Sequence, residues 1–585
     1  MHSAPYIPGF PKRLGEDFAA LFARDGYSAK RLEVVHQAQS HRGPVALTAD
    51  EDSIYNAADR ASRECYETMA RCVTMDAGLL AIEELCAWWG VDVPESVSGE
   101  DREIVNKVVD LQWWRRQLRK VVARRVEHAA IMAGLVGKES QPYISDESCI
   151  RQAKRNQANR KMLEQTKVRN ENGDEFALSE LADKGTGNKE KRRHELMTRI
   201  RGFEEVAQLM NHAALFWTIT CPSKFHAVGG KNPKYNGATP RDAQAYLVNV
   251  WAKIRAKLDR EGIRPYGFRV VEPHTDGCPH WHMLFFVERK DVQRMATIVY
   301  DYAMEEDGDE AGAKENRVKL VTIQHGGGGS AAGYIAKYIA KNIDGHGVGE
   351  HKSFENGEEV TVKAATLENM VITPSMRVSY WSQVWGIRQF QQIAGVPVGI
   401  WREFRRIKES TIEGAPEVVR QAWAAAQAVK SENEEEAKQA DFCGFMQALG
   451  GPRTGRATLI QLAKDEVTID GKYARYEAKK PIGVYAVEES EVIYKSVRYV
   501  WERVEEKRVV PVGFGVPRTG VNNCTQFDYP ELQNRFNAAT EKLGEAAKNK
   551  KFSAPAWVDW PGVRQKAKEI EQETNKFAWR GNKHV

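Results

Sequence analysis

The dipeptide Asp276-Gly277 constrains this chain more than any other feature. Asp-Gly tolerates the positive φ that a tight turn between antiparallel strands demands. It lies between two strand-like runs, Tyr266 to Glu272 and His280 to Val287. Residues two apart on a strand share a face, so this hairpin sets His280 beside His282 and sends Trp281 to the other side. Glu272 ends the facing strand, where its carboxylate could return to the imidazoles. His274 and Gln324 are weaker candidates for the same place. Two neutral imidazoles and a carboxylate can reach one divalent ion, with magnesium, manganese and zinc all suited to the set, and positions stay open for phosphate oxygens. A lone His-x-His on a strand is also met as ordinary structure.

Strands and helices alternate irregularly around the hairpin, which predicts an α+β domain built on a central antiparallel sheet. Phe216 to Thr220 is aromatic and β-branched, reads as a strand, and stops at Cys221-Pro222-Ser223. Helices are expected over Arg241 to Glu261 and near Val292 to Glu305, with a short strand from Val318 to Ile323. At 585 residues the chain exceeds one ordinary core. Changes of pattern suggest four segments: an irregular, proline-bearing lead-in over 1–50, a helical basic region over 51–205, the hairpin domain over 206–405, and a C-terminal region over 406–585. Within the last, a helix is expected from Pro416 to Glu436, a small β-rich module at 466–515 and a polar helix after Pro530.

A second cluster follows the hairpin by about fifty residues. In Gly333-Tyr334-Ile335-Ala336-Lys337-Tyr338-Ile339-Ala340-Lys341-Asn342 the two tyrosines are one helical turn apart, about 6 Å along the axis, and so share a face. Lys337 and Lys341 form a stripe beside them. Phenols flanked by ammonium groups suit attack on a phosphodiester, because tyrosinate is a nucleophile whose phosphate ester can later be broken again. The reference tyrosine pKa is near 10, so such a phenol needs activation by a metal or a lysine. Read alone, the repeat is more simply an amphipathic helix packing its aromatics.

Net charge is only +5, but its distribution is uneven. Between Trp113 and Arg169 basic residues crowd together, among them Arg115, Arg116, Arg119, Arg124 and Arg125, an excess that could neutralise phosphates. Solvated helix faces carry similar runs.

These motifs resemble the HUH endonucleases, named for two histidines flanking a bulky residue. Phe216 to Ser223 is similar to the first motif of that group, Glu272 to His282 to the second and Gly333 to Asn342 to the third. With both tyrosines present, the chain resembles the two-tyrosine class that initiates rolling-circle replication, and within it the replication gene A protein family of tailed phages and prophages. Glu195 to Arg199, Gly202 to Glu204, Trp385 to Phe390 and Trp401 to Arg406 add to the likeness, which runs from about residue 100 to 410.

The resemblance implies an antiparallel sheet with the histidine strand at its centre and the tyrosine helix across it. It implies nicking of one origin strand, a 5′-phosphotyrosine intermediate, a 3′-OH that primes a host polymerase, and rejoining by the second tyrosine. The implied roles are Tyr334, Tyr338, Lys337 and Lys341 in catalysis, and His280, His282 and Glu272 on magnesium or manganese. The implied partner is single-stranded or supercoiled origin DNA; a host helicase is expected as well, because the chain shows no phosphate loop of its own for strand opening. A two-tyrosine transposase or plasmid relaxase would share the site. A non-catalytic DNA-binding protein would use only the basic helices.

Gly450 to Ala457 imitates a phosphate loop but has Arg456 where the lysine belongs and Ala457 where the hydroxyl belongs, so it is rejected. The eight cysteines include no CxxC pair, which argues against a zinc ribbon. No apolar run approaches a membrane span and no secretory segment is recognisable, so a bacterial cytoplasm is the expected compartment.

Overall fold

The computed structural model describes residues 6–26, 28–40, 44–323, 330–345, 351–355, 358–428 and 439–504. Among the described residues, 6–65 and 82–504 fall in one compact unit and 66–81 in another. Of the second unit, residues 66–81 are described, and they supply parts of the helices Glu51–Arg71 and Met75–Trp88.

The first unit is α+β. Five antiparallel strands make its main sheet: β1 (Ala213–Ile219), β2 (Tyr266–Pro273), β3 (Pro279–Val287), β4 (Val318–Ile323) and β5 (Phe390–Ile393), in the spatial order β5-β2-β3-β1-β4. The histidine strand β3 is therefore the middle one. The β2–β3 turn is closed by the Gly277 N–H donating to the His274 carbonyl, with Gly277 at φ 84° as the Asp-Gly signal requires. Every residue of β2 and β3 is buried, so the centre of the sheet is covered on both faces, while edge strand β4 is mostly exposed.

One face carries Trp281 and Phe285. Helix Pro240–Arg260 covers it, stacking Trp251 on Phe285 at 5.3 Å and accepting the Trp281 indole N–H on Gln244. A reciprocal capping box between Thr239 and Asp242 starts that helix, with proline in its first turn. The opposite face carries Phe216, Phe268, Val270, Leu284 and Phe286, which join Phe203 of helix Lys189–Leu209 and Ile335 and Ile339 of helix Ala331–Ile343 in one core. Burying each such side chain contributes about 1.5–3 kcal/mol. Towards the β2–β3 turn this packed face gives way to an open cleft.

Three expectations need correction. The lead-in over 1–50 is not irregular: it holds helices Lys12–Asp25 and Ala29–Ser40. Pro11 is the N-cap of the first, where a proline costs no hydrogen bond, and Leu14, Phe18, Leu21 and Phe22 bury one stripe. The β-rich module begins at Ile460, with an antiparallel hairpin of Ile460–Asp470 and Arg475–Ala486. Within the range expected for it, strand Trp501–Arg503 pairs instead with Lys167–Asn170, over three hundred residues earlier. Third, the helix expected over Pro416 to Glu436 is Glu417–Ala426; residues 429–438 lie outside the described residues, as do Gly326 to Gly329, Gln324 and the expected helix after Pro530. The rejected phosphate-loop mimic joins helix Phe442–Ala448 to strand Ile460–Asp470, the reverse of the strand–loop–helix order such a loop needs. Among the described residues no helix is long and apolar enough to cross a membrane.

Candidate active site

Ladder register assembles the site. Glu272 is the direct partner of His280 across β2 and β3, and Thr218 of β1 is the direct partner of His282. One donor atom from each of Glu272, His280 and His282 lies within 4.8 Å of the others, and all three residues are buried. The two imidazole Nε2 atoms are 2.9 Å apart, and Glu272 Oε2 is 3.9 Å from His280 and 3.5 Å from His282. Ligands at right angles around an ion at about 2.1 Å would be about 3.0 Å apart.

The protonation states suit a cation. Burial first, then the neighbouring positive groups, push the His280 pKa well below its ordinary value. Burial also lowers His282 despite the pull of Glu272. Glu272 goes the other way: burial would raise its pKa, but the Lys341 ammonium, the His282 hydrogen bond and the Asn342 amide bring it to about 2. The set is thus two neutral imidazoles and one carboxylate. His282 Nδ1 is 3.0 Å from the Thr218 hydroxyl, which fixes the ring with Nε2 directed at the carboxylate. His280 Nδ1 is buried with no partner among the described residues. His274 packs against His280 at 4.1 Å, the rings tilted, but is not in the three-residue donor set.

The tyrosine helix reaches the same place. Its first turn is anchored by the buried Glu204 carboxylate, which accepts from Ala331 N (2.6 Å) and Ala332 N (3.0 Å), and by Ser330 Oγ accepting from Gly333 N. Ile335 and Ile339 face the core, so Tyr334 and Tyr338 flank it, half-buried at the cleft. The Tyr338 ring centroid is 4.1 Å from that of His282, and Phe216 packs against both phenols, at 4.6 Å from Tyr334 and 5.5 Å from Tyr338. Burial, with the Glu272 charge, raises the Tyr338 pKa well above its usual value. Lys337 lies over both rings, its Nζ 4.7 Å from Tyr334 and 5.1 Å from Tyr338. Lys341 instead meets Glu272 at 3.3 Å, and one residue on, the Asn342 amide donates to the same carboxylate.

The histidine and tyrosine clusters, far apart in sequence, therefore share one cleft of about 1070 Å³ that also takes in Lys319, Lys352, His226 and His274. The five arginines singled out in the basic region are engaged within the protein. Arg115 and Arg119 pair with Glu51, Arg116 donates to the Tyr473 hydroxyl, and Arg124 and Arg125 donate to the carbonyls of Val384 and Val45. None of them lines the cleft. Thr218, Glu204 and Asn342 gave no sign of these contacts in their own stretch of sequence. All three lie in stretches of family likeness, Thr218 in the first motif and Asn342 in the third, a signal that marks the stretch and not the contact.

Residues 59–346 match the family model described as bacteriophage replication gene A protein. This part of the chain belongs to that family. It begins earlier than the resemblance over 100–410 suggested. Among relatives, the "Replication gene A protein" of Escherichia phage 186 is 37% identical over 438 residues, covering 71% of this chain and 58% of that protein. The "Probable replication protein P12" of Pseudoalteromonas phage PM2 is 37% identical over 393 residues, 66% of this chain and 58% of its own. A "Probable replication endonuclease from prophage-like region" of Salmonella paratyphi A is 33% identical over 288 residues, 49% of this chain and 34% of its own. The chain thus spans little more than half the length of these relatives at most. No solved structure matches it.

Proposed function

We propose that the chain initiates phage DNA replication as a strand-specific endonuclease that cuts one origin strand and later rejoins it. The observation that supports this reading is the contact of the Tyr338 and His282 rings at 4.1 Å, a phenol beside three residues whose donor atoms lie close enough together to hold a divalent cation. His280, His282 and Glu272 would hold magnesium or manganese, which when bound withdraws charge from the scissile phosphate.

The chain's own residues do the rest. A phenol oxygen attacks phosphorus and keeps the 5′ phosphate, and the strand departs with a free 3′-OH. Lys337 lies where it can stabilise the phenolate as its proton leaves. Tyr338, the phenol against His282, makes the first cut; Tyr334, one turn back, takes the second. The 3′-OH suits extension by a host polymerase, with a host helicase opening the duplex in the bacterial cytoplasm.

The test is incubation with single-stranded origin DNA and manganese, read as a covalent protein–DNA adduct on a denaturing gel. The adduct should vanish in the Tyr334→Phe/Tyr338→Phe double variant, persist in Tyr334→Phe and be lost in Tyr338→Phe. Absence of an adduct with any origin-containing strand would leave a DNA-binding protein.

A further inference from the structure

Asp276 and His226 stand beside the site and have no part in the reaction as described so far. Asp276 sits in the β2–β3 turn and is 5% exposed. Its carboxylate accepts from Cys278 N at 3.0 Å and Val228 N at 3.2 Å, and lies 3.2 Å from His226 Nδ1. Burial would raise its pKa, but His226 and the Cys278 N–H outweigh burial and hold it well below the carboxylate range. An ionised acceptor at that position keeps a proton on His226 Nδ1 and gives proton exchange to Nε2.

The place of this pair matters as much as its chemistry. His226 lines the cleft. Its ring meets His274 edge-on at 5.0 Å; His274 lies on His280 at 4.1 Å; His280 meets His282 at 4.6 Å; and His282 touches Tyr338 at 4.1 Å. The rings thus run in the order Tyr338, His282, His280, His274, His226. A nucleophile stands at one end, an Asp–His pair at the other, and the cation donors between them.

Displacement at phosphorus places the attacking and leaving oxygens roughly in line. A phenol coming from the Tyr338 end pushes the leaving 3′ oxygen towards the other end. That oxygen is an alkoxide, far more basic than a phenolate whose parent pKa is near 10, so its departure needs a proton. We propose that His226, oriented by Asp276, protonates the leaving 3′ oxygen and takes that proton back when the ends are rejoined. The proposal rests on the strand-cutting reading above.

In cutting, the phenol oxygen bonds to phosphorus as its proton passes to solvent. The bond from phosphorus to the 3′ oxygen breaks, its electron pair stays on that oxygen, and the Nε2 proton of His226 joins it. His226 is left as a neutral imidazole, with Nε2 open to accept a proton. In rejoining, the 3′-OH gives its proton to His226 as its oxygen attacks phosphorus. The phenolate leaves with the electron pair of its bond and takes a proton from solvent. Asp276 acts through His226 and is a positioning residue.

The experiment uses the full chain and single-stranded oligonucleotides whose scissile linkage has been mapped from the wild-type adduct. One strand is an ordinary phosphodiester. The other carries sulfur in place of the bridging 3′ oxygen, and a thiolate, with a parent pKa near 8.5, leaves without a proton. His226→Gln should slow adduct formation on the ordinary strand about 10²-fold or more and on the sulfur strand less than about tenfold. Asp276→Asn should give the same selective loss, smaller in size. Equal losses on both strands would make His226 structural and overturn the proposal, and so would no loss on either. Wild-type protein that forms no tyrosine adduct with either strand would overturn the strand-cutting reading itself, and this proposal with it.

Discussion

The basic helices and the sheet cleft are both rich in positive side chains, yet they use them in opposite ways. Arg115, Arg116, Arg119, Arg124 and Arg125 meet acceptors from distant parts of the chain: Glu51, Tyr473, Val384 and Val45. They tie helix Leu111–Ala133 to its surroundings. In the cleft, Lys319 and Lys337 are exposed, and among the described residues neither has a carboxylate partner. A count of charges cannot separate these cases. What separates them is whether the fold supplies an acceptor, because a cation already satisfied inside the protein gives up an interaction to bind a phosphate.

The sharpest way to break this contrast is at the donor set. His282→Ala removes one of the three residues proposed to hold the cation and should slow single-turnover adduct formation about 10³-fold, or about 4 kcal/mol of transition-state stabilisation. DNA affinity, read by filter binding, should change little. A parallel fall in affinity would mean that the cleft merely holds DNA. On the other side of the comparison, Arg124→Ala leaves the Val384 carbonyl without its donor. It should cost about 1–2 kcal/mol of stability in denaturant unfolding and leave the salt dependence of DNA binding unchanged.

Acid provides a third test. His280 and His282 are held neutral in the fold, whereas in the unfolded chain they titrate near 6.5, so below that pH the unfolded state binds more protons. Stability without metal should therefore fall as pH drops below 6.5, by at most about 1.4 kcal/mol per pH unit for each histidine. Glu272 adds a later loss: its stabilisation is complete above its unfolded value of 4.5 and disappears towards 2. Melting curves in chelator from pH 7.5 to 5.5 should slope downwards, and less steeply in His280→Gln. An unchanged slope in that variant would mean that His280 is already protonated in the fold.

How much of this was visible in the sequence follows from the range of each signal. The hairpin, the shared face of His280 and His282, and the turn spacing of Tyr334 and Tyr338 depend on periods of two and about four residues, and those were legible. What sets the pieces against each other is register between distant segments, which no local pattern encodes. Thr218 meets His282 only because β1 pairs with β3 at one particular offset. Glu204 caps a helix more than 120 residues later. The pairing of Trp501–Arg503 with Lys167–Asn170 has the same character. In the N-terminal region the error was local: prolines were read as breaking structure, when Pro11 marks a helix start.

The smallest expected effect returns to the contrast between the regions. Lys319 stands on β4 directly across from Thr218, on the side that faces the cleft, and Lys337 lies over the phenols. If a single strand runs through the cleft, each lysine neutralises about one phosphate, and the slope of log affinity against log salt should fall in magnitude by about 0.7 per lysine removed. The Lys319→Ala/Lys337→Ala variant should lose only a few-fold in affinity near physiological salt, so the slope is the quantity to read. Charge-neutral changes at Arg115 and Arg119 make the matched control. A lower slope in the lysine variant alone puts the DNA in the cleft. A lower slope in the arginine variant alone would mean that Glu51 yields its partners to phosphate, and the helices, with their apparently satisfied charges, would become the DNA surface.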